Sequence, residues 1–241
     1  MKLKRILKYV FLLILLGSLG FLYGFSNTRN SQKEINKVSV QFDLGEGYFL
    51  TQSMVNKLLI QNNQRVQKQA KSVIDLYQLE KKVLENPYIE KASLFMTIDG
   101  TLNTQIKERQ PIARIITSNS SYYIDSQAVK VPLSGNFSAR VPLVTGVENG
   151  KDLVEVKKLL DKIVNDEFLQ KEIIGIHLKA TKEYMMTVRS GNYEIEFGKL
   201  TEIDHKIKKL KAFYSKVFLD STIHSYKTIN IKYRNQVVGV K

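Results

Sequence analysis

The amino-acid sequence predicts an α+β chain built as a single transmembrane helix, a small strand–helix–helix–strand–strand unit and a C-terminal, mostly antiparallel β domain with two helices. Three observations predict it. One twenty-residue apolar run, Ile6 to Phe25, carries Lys8 as its only charge. From Val38 onward, apolar spacing switches between the period of a half-buried strand and that of an amphipathic helix, and Asp99-Gly100 and Ser190-Gly191 mark two hairpins. After Tyr122 short strands dominate, interrupted by helical spacing only around 153–163 and 203–217.

The apolar run comes first. A twenty-residue helix is about 30 Å long, the thickness of a bilayer's hydrocarbon core. Lys8 lies one turn inside and can snorkel outward. Lys2, Lys4 and Arg5 precede the run with no acidic residue, which places residues 1–5 in the cytoplasm and the chain from about Ser26 outside. Lys4, Arg5, Lys8, Leu12 and Leu16 are the expected anchor residues. A cleaved signal peptide shares the basic start, but its apolar core spans about 7–15 residues and ends on a small-x-small site. Tyr9 to Phe25 is seventeen residues long, and the nearest such site, Gly24-Phe25-Ser26, follows an aromatic pair, Tyr23 and Phe25, suited to a retained helix at the interface.

Composition narrows the function. The 241 residues include no cysteine, so disulfides, thiol nucleophiles and thiolate metal sites are excluded. Net charge is +14, and residues 1–37 contribute seven basic residues against Glu34 alone, which leaves +8 for the exported part. Such a surface suits anionic headgroups or an acidic partner. Nucleic-acid binding would need a basic patch with stacking aromatics or a recognisable module, and the sequence carries neither.

A polar linker, 26–37, leads to the first exported unit, 38–117. Val38, Val40 and Phe42 alternate as a strand, and Leu44-Gly45-Glu46-Gly47 turns the chain without the third glycine or lysine of a nucleotide loop. Thr51 caps a helix over Met54, Leu58 and Leu59, Gln61 to Ser72 reads as a loop or frayed helix end, and Asp75-x-x-Gln78 opens a helix burying Leu76, Leu79, Val83 and Leu84. Asn86-Pro87 stops that helix. Ile89 to Ile98 and Leu102 to Ile106 pair across Asp99-Gly100, Glu108-Arg109-Gln110-Pro111 interrupts, and Ile112 to Ile116 resumes. The β domain, 118–241, follows with strands expected at 122–124, 128–133 and 141–145, all antiparallel. A helix over Leu153 to Ile163, a strand over Ile173 to Leu178 and a hairpin of Tyr184 to Val188 with Tyr193 to Phe197 come next. A helix follows that turns Ile203, Ile207, Leu210, Tyr214 and Val217 inward and Lys206, Lys208, Lys209 and Lys211 outward. Thr228 to Tyr233 and Val237 to Val240 are terminal strands.

Two stretches resemble the bacterial cell-division family FtsQ (DivIB). Asn86-Pro87-Tyr88-Ile89-Glu90-Lys91-Ala92 with Ile106-Lys107-Glu108-Arg109-Gln110-Pro111-Ile112-Ala113 resembles the end of that family's POTRA domain. Tyr122-Tyr123-Ile124-Asp125-Ser126, Val131-Pro132-Leu133 and Val141-Pro142-Leu143-Val144-Thr145-Gly146 resemble the opening of its β domain. Thr228 to Asn235 is similar to its terminal strand, with Asn230 and Lys232 in place of an Asp and an Arg and without a following tryptophan. The order of parts agrees over nearly the whole chain.

The resemblance implies a non-enzymatic bitopic scaffold of the divisome, in the plasma (inner) membrane at the septum with most of the chain periplasmic. It implies FtsB (DivIC)-like and FtsL-like partners, received at Tyr233, Arg234, Asn235, Gln236, Val237, Val238, Gly239 and Val240. The residues themselves point to no catalytic, cofactor or metal site. His177, His205 and His224 are isolated, G-x-S-x-G is absent, and the exported part has no Ser-x-x-Lys. Glu194 and Glu196 share one strand face, commonly the solvated one. Two other readings stay open: an exported cell-wall enzyme with an unrecognised site, and a POTRA component of outer-membrane assembly. The second needs a transmembrane barrel, which strands interrupted by two helices do not supply.

Overall fold

The computed structural model describes residues 2–43, 49–61, 64–219 and 222–241. The expected turn at Leu44-Gly45-Glu46-Gly47 and the side chains of Lys4 and Arg5 lie outside the described residues. The chain falls into two units, Met1–Glu108 and Arg109–Lys241.

The first unit opens with α1 (Lys2–Ser31). Ile6–Ser31 is long and apolar enough to cross a membrane, with a mean hydropathy of 2.1, and its apolar stretch is unburied. The helix runs past Phe25 into the expected linker because Ser26–Ser31 contains no breaker, and Thr28 and Ser31 hydroxyls bond back to the carbonyls of Gly24 and Thr28.

There follow β1 (Lys37–Phe42), α2 (Gln52–Leu58), β2 (Ile60–Gln61), β3 (Gln64–Arg65), α3 (Leu76–Leu84), β4 (Ile89–Met96) and β5 (Thr101–Glu108). The sheet order is β1-β5-β4, with β1 parallel and β4 antiparallel to β5. Where a loop is expected, β2 and β3 form a separate two-stranded ribbon, followed by a 3-10 turn at Lys71–Val73. Thr51 and Asp75 cap α2 and α3 by accepting from Met54 N and Gln78 N. Val55, Leu59, Leu79 and Val83 of the helices are buried, as are Ile89, Leu94, Leu102 and Ile106 of the sheet. Met54 and Leu84, expected inside, are 37% and 42% exposed.

The β4–β5 hairpin pairs Leu94 with Thr104 and Met96 with Leu102, as the alternation requires. Its tip differs from the expected two-residue turn. Gly100 N donates to Thr97 O and Thr97 N to Thr101 O, and only Gly100 takes positive φ, +94°. This is a type I turn closed by a glycine bulge, the usual three-residue hairpin connection.

The second unit contains β6 (Pro111–Ile116), β7 (Ser121–Asp125), β8 (Lys130–Val131), β9 (Leu143–Thr145), α4 (Gly150–Val164), α5 (Glu167–Glu172), β10 (Ile173–Leu178), β11 (Tyr184–Val188), β12 (Glu194–Gly198), α6 (Ile203–Leu219), β13 (Thr228–Asn230) and β14 (Val238–Val240). They form one nine-stranded sheet in the order β14-β13-β12-β11-β10-β9-β6-β7-β8. Apolar faces of α4, α5 and α6, including Val156, Leu160, Leu169, Leu210 and Tyr214, share one core with Ile115, Val144, Ile176, Met186, Ile195 and Ile229 of the sheet.

Three local expectations change here. β6 pairs with β7 and β9, so it belongs to this sheet rather than to a first unit ending at 117. β9 runs parallel to both β6 and β10, where an antiparallel arrangement was expected, because α4 and α5 carry the chain back over the sheet between β9 and β10. The short α5, capped by Asp166, joins the two expected helices.

The two stretches that carry the resemblance meet inside this unit. Arg109 Nη1 bonds Asp125 Oδ2 at 2.7 Å, and Asp125 Oδ1 accepts from Gln127 N and Val129 N at 2.9 Å each. Gly146 ends β9 at φ +79°, where a Cβ would lie 2.0 Å from Leu178 O, so no other residue fits without moving the backbone.

Candidate functional site

β14 is the outermost strand at one end of the large sheet, and its three residues are exposed. The register determines which of its backbone groups are engaged. Thr228 pairs with Val240, Ile229 with Gly239 and Asn230 with Val238. On the other side of β13, Glu194 N donates to Lys227 O and Ile231 N donates to Glu196 O. Ile229, lying between these two groups, therefore faces β12, Thr228 and Asn230 face Val240 and Val238, and Lys227 N also donates to Val240 O at 2.7 Å. Gly239, opposite Ile229, turns its N–H and C=O to the open edge.

Gly239 is required for a packing reason as well. A Cβ there would lie 2.4 Å from the Tyr226 ring, which packs edge-on against Phe213 of α6 at 5.5 Å. Tyr226 thus closes one face of β14. The opposite face presents Val238 at 38% and Val240 at 51% exposure.

The connection between β13 and β14 contains the other expected contact residues, and α6 holds it from one side. Lys209 Nζ donates to Ile231 O at 3.2 Å, to Tyr233 O, and to Gln236 O at 3.4 Å. One turn earlier, His205 Nε2 lies 2.8 Å from Arg234 O and is the donor there, since a carbonyl only accepts. Four carbonyls of a short loop are gathered by two side chains four positions apart on one helix face. Burial holds the Lys209 ammonium below the usual lysine value.

Lys206, expected on the outer face of α6, is instead 5% exposed. Its ammonium bonds Phe197 O at 3.1 Å and Lys199 O at 2.6 Å and lies 4.9 Å over the Phe197 ring, tying α6 to the end of β12. Burial lowers its pKa too. Lys211 pairs with Asp166 at 2.6 Å.

Asn230 and Lys232 converge on one carboxylate. Asn230 Nδ2 donates to Glu196 Oε2 at 2.7 Å, and Lys232 Nζ lies 3.2 Å from Glu196 and 3.7 Å from Glu183. The bond to Glu196 raises the Lys232 pKa. Tyr233 is 53% exposed, and Arg234 makes a surface contact with Glu202 at 3.4 Å.

The expected partner-receiving residues 233–240 are therefore brought together in one terminal hairpin. The expected anchor residues Lys8, Leu12 and Leu16 all lie exposed on α1. What sequence reasoning missed is the clamp of His205 and Lys209. Their i, i+4 spacing was visible, but their carbonyl partners lie 22 to 29 residues further along the chain.

A second polar cluster is also absent from the sequence reading. The Glu172 carboxylate, 7% exposed, accepts from Ser190 Oγ and from Tyr214 OH at 3.2 Å, and Tyr193 OH, 3.3 Å from the same oxygen, donates its one proton to Tyr214 OH at 2.8 Å. Burial raises the pKa of both tyrosines. Each group satisfies another, which is what a buried polar network needs to fix a core. Among the described residues no group of three or more His, Asp or Glu could hold a metal.

Residues 110–240, more than half of the chain, match the family described as FtsQ/DivIB, C-terminal related. Cell division protein FtsQ of Geotalea daltonii is 21% identical over 179 residues, which cover 69% of this chain and 63% of that protein. The chain thus spans less than two thirds of the length of this relative.

Proposed function

The chain belongs to the FtsQ/DivIB, C-terminal related, family, and on that premise we propose that it is a bitopic, non-enzymatic scaffold of bacterial cell division. Its N-terminus is cytoplasmic, α1 crosses the plasma membrane, and the rest of the chain lies on the outer side at the septum. There it links early and late division proteins by receiving an FtsB (DivIC)-like partner, accompanied by an FtsL-like one, at β14.

The observation that carries this reading is the open edge at Gly239. Among the described residues no strand lies beyond β14, and a strand with its outward N–H and C=O open accepts an extended segment through backbone hydrogen bonds, with alternate side chains supplying specificity. Val238 and Val240 offer apolar contacts on one face, and half-exposed Tyr233, in the loop that leads to β14, offers an aromatic anchor. Backbone pairing tolerates side-chain change, so Asn230 and Lys232 are compatible with the same mode.

The test is co-purification of the full chain with a DivIC-type partner after Gly239 is replaced by sarcosine, which deletes the N–H without adding a Cβ. The reading expects loss of the partner with the fold retained. Proline at Val238 is the wrong probe, because that amide bonds Asn230 within the protein's own sheet. Undiminished co-purification by the sarcosine variant would move the interface away from β14.

A further inference from the structure

The first unit carries a second exposed feature, at the end of α1. The chain leaves the helix and runs along the 3-10 turn, with Ile35 N bonded to Gln69 O and Lys71 N to Lys33 O. The tip of the β4–β5 hairpin is fastened to the same place. Lys33 Nζ donates to Ile98 O at 3.0 Å, and Lys71 Nζ to Thr97 O at 2.7 Å, to Ile98 O at 3.3 Å and to Asn30 Oδ1 at 3.5 Å. Asn36 N donates to Gly100 O at 3.0 Å.

Height above the bilayer follows from the helix. Phe25 ends the apolar run, and Asn30 stands five residues, about 7.5 Å, further along the axis. The headgroup zone adds roughly 5–8 Å to each side of the hydrocarbon core. Asn30, and the Lys71 ammonium and hairpin carbonyls gathered on it, therefore stand at the outer margin of that zone.

The composition of the tip suits that position. Ile98 is 84% exposed, more than any apolar side chain of the anchor itself, where Tyr23 reaches 76%. The segments that meet here bring Arg29, Lys33, Lys37 and Lys71 against Glu34 and Asp99. Lys33 and Lys71 bond carbonyls and an amide oxygen and pair with no carboxylate among the described residues, so their charge is uncompensated locally. Asp99, which opposes this field, accepts a hydrogen bond from Thr101 Oγ1 at 2.8 Å.

We propose that the Thr97–Gly100 tip docks on the outer leaflet of the bilayer that α1 crosses, with Ile98 entering the interface and the net positive charge of the adjoining segments drawing it to anionic phospholipid headgroups. This rests on reading α1 as a transmembrane anchor. An exposed aliphatic side chain beside segments of net positive charge is the composition of an interfacial contact. Docking there sets the orientation of the first unit against the membrane, which one helix alone leaves free to rotate.

The absence of cysteine makes the test direct. Single-cysteine full-length chains, Ile98→Cys, Leu16→Cys and Val154→Cys, are labelled with an environment-sensitive fluorophore and reconstituted in vesicles of phosphatidylethanolamine and phosphatidylglycerol or of phosphatidylcholine alone. Val154, 57% exposed on α4, is the aqueous control. In the anionic vesicles the Ile98→Cys label is expected to shift to the blue, to resist quenching by uncharged acrylamide and to be quenched by lipid spin-labelled near the headgroup. The shielding should weaken in phosphatidylcholine. A Leu16→Cys label that is deep while the Ile98→Cys label is as accessible as Val154→Cys overturns the proposal and leaves the anchor reading standing. A wet Leu16→Cys label overturns both. Equal shielding in the two lipids overturns the role given to anionic headgroups.

Discussion

Lys209→Met removes the ammonium that gathers the carbonyls of Ile231, Tyr233 and Gln236 but keeps a stem of similar length. A hydrogen bond from a charged donor is worth about 1.5–3 kcal/mol where water is excluded and about 1 kcal/mol where it is not. The loop is partly exposed and the Gln236 bond is long, so the three together contribute about 2 kcal/mol to holding the terminal hairpin. That is roughly a 30-fold rise in the open population. β14 pairs over three residues only, so this opening is local and does not require the second unit to unfold. The assay is amide hydrogen exchange of the full chain at Val238 and Val240, whose N–H groups face β13. Their exchange should quicken by roughly 30-fold, while amides of β11 and β12 keep their protection and Lys209→Arg restores most of the effect. Unchanged exchange at Val238 and Val240 in Lys209→Met would refute the clamp.

Other outcomes follow from the same geometry. Arg109→Met leaves Asp125, whose side chain is 5% exposed, with backbone donors but no cation, and should lower the second unit's stability by about 2–3 kcal/mol in denaturant titration. Gly146→Ala forces a Cβ onto Leu178 O at positive φ and should cost at least about 2 kcal/mol by the same measurement. Lys182 beside Asp152 and Lys211 beside Asp166 hold both carboxylates below the ordinary value of 3.8. Because the folded values are the lower ones, their stabilisation is complete above about pH 4 and disappears as pH falls through the lowered values. Melting temperature should drop on acidification below pH 4, with a shallower drop in Asp166→Asn.

Period and turn chemistry made much of the fold legible. Leu94, Met96, Leu102 and Thr104 alternate so regularly that a shift by one residue would expose the core face, and the register found is the one they require. Asp75 and Thr51 mark helix starts by chemistry that acts within three residues. What could not be read is set at longer range. Pro111–Ile116 is a strand by local pattern, but which sheet takes it depends on β7 and β9. A six-residue helix such as α5 is too short to show a period. At the candidate site, two terminal strands were legible, although the first ends at Asn230 rather than Tyr233, whereas the register that leaves Gly239 rather than Val238 facing outward was not. Lys206 and Lys209 read as solvated lysines because backbone carbonyls, their actual partners, leave no trace in a sequence.

The central claim is that a partner strand pairs with the open edge at Gly239. Amide exchange at that one residue, measured in the free chain and in complex with a DivIC-type partner, tests it most directly. In the free chain the Gly239 N–H faces solvent and should exchange quickly while Val238 and Val240 are protected. Saturation with the partner should slow Gly239 to a rate comparable with its neighbours. A formed complex in which Gly239 exchanges as fast as in the free chain would contradict strand addition at β14.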